Sequence, residues 1–136
     1  MAHQAPALRR TEGDTGTLNG RVLTRTGIST TDPENLSGAV VSITIREHGG
    51  GILSLFNNVI IPAPDITDPT AGKFEYILSA PQVAQLVAGA QRTPKQYTVK
   101  LKIIYPSAEV RFYPNDVSIL DGSVISDLVL EVLPAL

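Results

Sequence analysis

Cysteine and tryptophan are both missing from the 136 residues. Without cysteine there is no disulfide, no thiolate nucleophile and no cysteine-based metal centre, and either redox compartment is compatible with that lack. Charge of one sign is missing too. Eleven Lys and Arg against 13 Asp and Glu leave a formal net charge of -2, interleaved along the chain, so the basic face or stripe that nucleic acid requires is not there. No apolar run approaches the ~20 residues that span a bilayer. The first ten residues also lack the apolar centre of a secretory signal. These absences predict a chain made in a cytoplasm that stays soluble or leaves by lysis, with no nucleic-acid partner, no membrane partner and no cofactor.

What is present suits one globular domain. Hydrophobic residues make up 43% and charged residues 18% of a chain of single-core length. Residues 1–20 read as an N-terminal arm, with Pro6, Gly13, Gly16 and Gly20, few large apolar groups and no periodicity. Ordering such an arm costs on the order of 1–2 kcal/mol of backbone entropy per residue, which calls for contacts outside its own domain. The domain proper is expected over 21–136.

From residue 21 onward the signal is strands. Val41, Ile43 and Ile45 alternate with Ser42, Thr44 and Arg46, and Phe74, Tyr76 and Leu78 alternate with Lys73 and Glu75. Tyr97, Val99, Leu101, Ile103 and Tyr105 keep a period of two over nine residues, which no helix can place on one face. Val110 and Phe112 continue the pattern after Pro106-Ser107-Ala108, a hairpin spacing. A last strand is expected within 124–133, with Leu128, Leu130 and Val132 on one side. Residues 52–61 predict one or two strands broken at Asn57-Asn58, a pair that tolerates tight turns. One helix is expected from Ser79, with Gln82 completing a capping box, Val83, Leu86 and Val87 on one face, and Gly89 as its end. About seven strands and one short crossover helix predict an all-β, immunoglobulin-like two-sheet β-sandwich. Its core should join Val41, Ile43, Ile45, Phe74, Tyr76, Val99, Leu101, Ile103, Phe112, Leu128 and Leu130.

Residues able to carry chemistry are scattered. His3 and His48 have no partner at metal-ligand spacing, and Gly49-Gly50-Gly51 lacks the lysine and following helix of a phosphate cradle. Asp65, Asp68, Asp116, Asp121 and Asp127 read as turn-formers. No nucleophile elbow accompanies His48. Glu12, Asp14, Glu34, Glu47, Glu75, Glu109 and Glu131 show no diagnostic spacing for a glycosidase pair, which folding alone could assemble. The expectation is a protein that is not an enzyme and holds no metal.

Three stretches, in order, resemble a phage family. Glu12-Gly-Asp-Thr-Gly16 leads to Leu36-Ser-Gly-Ala-Val-Val41 and the strand through Arg46; Ala71-Gly-Lys-Phe-Glu-Tyr76 leads into the helix; Tyr97-Thr-Val-Lys-Leu-Lys-Ile-Ile-Tyr105 precedes Glu109-Val-Arg-Phe-Tyr-Pro-Asn-Asp116. Together they look like the N-terminal immunoglobulin-like domain of the phage baseplate upper protein family, over residues 12–133. The resemblance implies a non-enzymatic virion component that docks other modules onto a tail. Two departures limit it: the link through residues 30–35 is lengthened, and with Leu136 as the last residue neither a stalk nor a receptor-binding tip is expected.

The expected partners are therefore other virion proteins of tail, baseplate or capsid, with several copies or a homo-oligomer in the particle. Contact residues are expected at Leu8, Arg9, Arg10 and Leu18 in the arm, at Ile52 and Leu55, and at Phe112, Tyr113, Asn115 and Asp116. Arg9 and Arg10 read equally as a solvated basic pair or as ligands for a neighbour's carboxylates. A capsid decoration or head-fibre role is the nearest alternative. A carbohydrate-binding module is the alternative of another class, resting on Tyr113 as the one tyrosine outside the core phase.

Overall fold

Alternating residues build the framework, and the computed structural model describes residues 8–25, 31–113 and 128–135 of it. Among the described residues the strands are β1 (Leu8–Thr11), β2 (Leu18–Arg21), β3 (Leu23–Arg25), β4 (Thr31–Pro33), β5 (Val40–Glu47), β6 (Val59–Ile60), β7 (Lys73–Tyr76), β8 (Lys95–Ile104), β9 (Val110–Tyr113) and β10 (Leu128–Leu133). One helix, α1 (Ala80–Gln85), and four short 3-10 turns complete them. The described residues are thus all-β apart from one short helix and the 3-10 turns.

The strands form a six-stranded sheet in the order β1-β10-β8-β5-β6, with β9 also on β8, and two-stranded sheets β2-β7 and β3-β4. β5 and β8 pair antiparallel along eight residues, from Val40 opposite Ile104 to Glu47 opposite Tyr97. Because side chains alternate across a pleat, one face of this pair carries Val41, Ile43, Ile45, Tyr97, Val99, Leu101 and Ile103, all buried in the core. Leu18, Val22, Phe74, Tyr76 and Leu78, from β2, β7 and the residues that follow them, join the same cluster, with Leu36, Phe56, Ile61 and Leu86 closing its ends.

β9 and β10 lie end to end along one edge of β8. Tyr113 stands opposite Leu101 and Leu128 opposite Val99, two positions further along β8. β1 then runs parallel to β10, Leu8 opposite Leu130 and Thr11 opposite Leu133. The expected arm is corrected over its described part: residues 8–11 and 18–21 are strands of the domain. The apolar content that looked too small suffices because two edges supply main-chain partners, and only Leu8 and Leu18 need to reach the core. The Arg10 guanidinium is turned inward and donates to the Asp14 and Gly16 carbonyls, and Glu12 accepts from Ala88 N at 2.8 Å.

The phase of β9 is a second correction. Val110 and Phe112 point outward, and Tyr113 is buried instead. The cause is the hairpin loop. Ala108 N donates to Tyr105 O at 2.9 Å, Tyr105 N to Glu109 O at 2.9 Å, and Ala108 takes a left-handed φ of 70°. That extra bulged residue shifts the side chains of β9 to the opposite face.

The helix begins as expected, with Ser79 and Gln82 forming a reciprocal capping box. It ends at Gln85 rather than near Gly89, because Leu86 leaves helical geometry (φ -87°, ψ 83°) to sit in the core, while Val87 is exposed. Residues 52–61 hold a 3-10 turn, Ser54–Phe56, and β6, with Asn58 at φ 53° between them. Main chains cross closely at Gly72, φ 68°, where a Cβ would stand 2.5 Å from Val22 O and 2.9 Å from Glu34 O.

Candidate functional site

The outer face of the six-stranded sheet is lined by the residues that alternate with the core. Its registers read Val40–Ile104–Val110, then Ile60–Ser42–Lys102–Phe112, then Thr44–Lys100, then Arg46–Thr98–Val129. Val40, Ile104, Val110 and Phe112 make a contiguous apolar band, since directly opposed side chains lie about 4.5–5.5 Å apart. Phe112 is 51% and Ile60 61% exposed. Beside the band, Ile52, Phe112, Arg46, Lys100 and Lys102, with Thr44 and Thr98, line a groove of about 260 Å3. Among the described residues Arg46, Lys100 and Lys102 have no carboxylate partner; Arg46 donates to Gly50 O. Ligand pockets usually enclose roughly 300–1,000 Å3, so this groove suits a partner's side chains better than a free small molecule.

The expected contact residues divide. Phe112 and Ile52 meet on this face, whereas Leu55 is exposed at the 3-10 turn beside α1, where its N–H donates to Gln85 Oε1. Arg10 and Leu18 are buried and Leu8 is half-buried against the core, committed to the core and to the turn after β1, so they are corrected as contacts. Arg9 is exposed and pairs with Glu131 of its own chain at 3.2 Å. Asn115 and Asp116 lie outside the described residues, as do His3, Asp121 and Asp127.

Tyr113 is corrected as well. It is only 6% exposed and cannot stack on a sugar. Its hydroxyl is buried without a hydrogen bond among the described residues. Around it, Tyr105 donates to Glu34 Oε1 at 2.6 Å and Arg111 pairs with Glu109 at 2.7 Å and Glu34 at 3.9 Å. Burial, then the bond to Glu34, pushes the Tyr105 hydroxyl above the ordinary tyrosine range. This group ties the hairpin after β8 to the loop between β4 and β5.

Sequence reasoning left Val40, Ile60, Val110, Lys100 and Lys102 unmarked. Their signal was the wet phase of strands whose other phase is core, where Val40 and Ile104 already interrupt the polar pattern. Among the described residues no three of His, Cys, Asp or Glu converge as metal ligands. His48 is exposed in the turn after β5, and the buried Asp65 carboxylate accepts from Ile77 N at 3.0 Å. No described helix is long and apolar enough to cross a membrane. No protein-family model, curated protein or solved structure matches the chain.

Proposed function

We propose that the chain is a non-enzymatic docking domain of a tailed-phage particle, an immunoglobulin-like sandwich that holds another virion protein against the outer face of its six-stranded sheet. The observation that carries the docking role is the band Val40, Ile104, Val110, Phe112 with Ile60 and Ile52 beside it. An exposed apolar face on well-paired strands marks an interaction surface.

The immunoglobulin-type reading rests on connectivity. An edge strand, β1, runs parallel to the last strand, β10; the order continues through β8, β5 and β6, while β2 pairs with β7 in the opposing sheet. α1 lies on the connection from β7 to β8. The Tyr97 hydroxyl, at the start of β8, donates to Val87 O at 2.8 Å and accepts from Val87 N at 3.2 Å. A tyrosine that reaches back from this strand to the preceding corner is a mark of such sandwiches.

The phage assignment rests on the three ordered sequence stretches. Cross-linking mass spectrometry on particles produced from the chain's own genome tests it. Cross-links from Lys100 and Lys102 to tail or baseplate proteins are expected. Links to capsid protein alone would support the decoration role instead, and absence of the chain from the particle would overturn the assignment.

A further inference from the structure

Among the described residues β2 pairs with β7 alone, and the register shows which groups face its other edge. Val22 N donates to Gly72 O at 2.9 Å, in line with the β2-β7 pairing of Leu18 with Tyr76 and Gly20 with Phe74. Antiparallel pairs alternate between bonded and non-bonded. The main-chain groups of Leu18, Gly20 and Val22 therefore turn toward β7, and those of Asn19 and Arg21 turn away. The far edge of β7 agrees with this phase, since Lys73 exchanges bonds with Asp68 on the side away from β2, at 3.0 and 3.4 Å. Among the described residues no strand pairs with β2 across the edge that Asn19 and Arg21 face.

Two further features lie at this edge. Between the sheets is an apolar cleft of about 210 Å3, lined by Leu8, Ile43, Val99 and Leu101 from the large sheet and by Leu18, Gly20 and Phe74 from the small one. Leu8 and Gly20 belong to the two edge strands, so the cleft sits on the open side of the core. It exceeds the ~150 Å3 apolar cavity that accepts benzene and falls below the ~300 Å3 of ordinary ligand pockets. One large apolar side chain fits it. On the other face of the small sheet, Arg21 stands directly opposite Lys73. Like charges so placed repel, and among the described residues neither has a carboxylate partner.

We infer that β2 accepts an antiparallel strand from another protein, in which an acidic residue meets Arg21 and the large apolar residue after it enters the cleft beside Gly20. Asn19 and Arg21 would each exchange two main-chain bonds with that strand, which is recognition by strand addition. The level of Gly20 is then a non-bonded pair, where side chains approach most closely; the Phe74 ring lies over Gly20, so the incoming side chain would enter the cleft against that ring, beside Leu8 and Leu101. A second copy of this chain fits poorly: about a two-fold axis it would set Gly20 against Gly20 and Asn19 against Arg21, leaving the cleft empty and the cations unanswered. The site is separate from the outer face of the large sheet and stands or falls independently of it.

The test is NMR titration of the full chain with the blocked heptapeptide Thr-Val-Glu-Phe-Thr-Val-Thr. Saturable amide shifts at Asn19, Gly20, Arg21 and Phe74 are expected in the millimolar range or below. Replacing the peptide's Phe by Ala should weaken binding at least tenfold, and Glu by Lys severalfold. N-methylation of the amides on the Glu and the following Thr should abolish it. Asn19→Pro removes an outward N–H only and should also abolish binding while Phe112→Asp leaves it unchanged; if Asn19→Pro does not fold, the N-methylated peptide decides. Absence of shifts at residues 19–21, or binding that survives N-methylation or the Ala peptide, overturns the proposal. Concentration-dependent shifts there without peptide would assign the edge to a second copy and overturn it equally.

Discussion

The two faces of β5 and β8 come from the same stretches of sequence, one residue out of step, and they do opposite work. Toward the core, Val41, Ile43, Ile45, Tyr97, Val99, Leu101 and Ile103 are buried and fix the fold. Toward solvent, Thr44, Arg46, Thr98, Lys100 and Lys102 share a surface with Ile60, Val110 and Phe112. A step of one residue therefore separates a change that unfolds the domain from one that alters only what it can bind.

The largest expected effect tests how far the core face depends on the first strands. Deleting residues 1–18 removes β1, the buried Leu18 and the Glu12 bond to Ala88, and exposes the edge of β10. Circular dichroism and denaturant titration should show loss of cooperative folding. A melt close to that of the intact chain would return these residues to the status of an arm.

Next comes the contrast within β8. Leu101→Ala should cost about 2–5 kcal/mol by denaturant titration, whereas its neighbour Lys102→Ala should change stability by less than about 0.5 kcal/mol. Equal losses would break the comparison between the faces.

A smaller effect is expected at Tyr97, whose ring belongs to the core and whose hydroxyl does not. Tyr97→Phe removes both bonds to Val87 at a cost of about 1–3 kcal/mol. Burial also raises the Tyr97 hydroxyl above the usual tyrosine range, and Tyr105 is raised as well. With folded values above unfolded ones, the native state holds its protons longer. Stability is then full below about pH 10 and falls as pH rises beyond it. Alkaline melts should show that decline, and Tyr97→Phe should flatten it.

The smallest effect sharpens the comparison from the solvent side. Phe112→Asp should move the unfolding free energy by less than about 0.5 kcal/mol yet remove cross-links from Lys100 and Lys102 to the partner. A large loss of stability would place Phe112 in the core after all.

Much of the core face was legible because β5, β7 and β8 are long enough, or regular enough, for alternation to speak alone. The capping box at Ser79 and Gln82 was legible for the same reason, being local. β1 and β2 were not, since four residues with one or two apolar members owe their order to partners far along the chain. The phase of β9 was lost to a single residue, Ala108, whose left-handed turn no periodicity reveals. The outer face was hidden differently: each strand contributes only one or two of its apolar residues, and pairing alone makes them neighbours.

Gly72 sets a limit of another kind. Three stretches of main chain, at Val22, Glu34 and the turn into β7, meet there with no space for a methyl group, and its backbone angle disfavours every residue with one. Surface residues of this domain can drift with whatever partner they meet, and core residues can exchange among apolar types of similar volume. Position 72 has neither freedom. In a saturation library it should return glycine alone, and Gly72-Lys-Phe-Glu-Tyr76 is therefore the stretch by which distant kin would be found when hydrophobic pattern has faded.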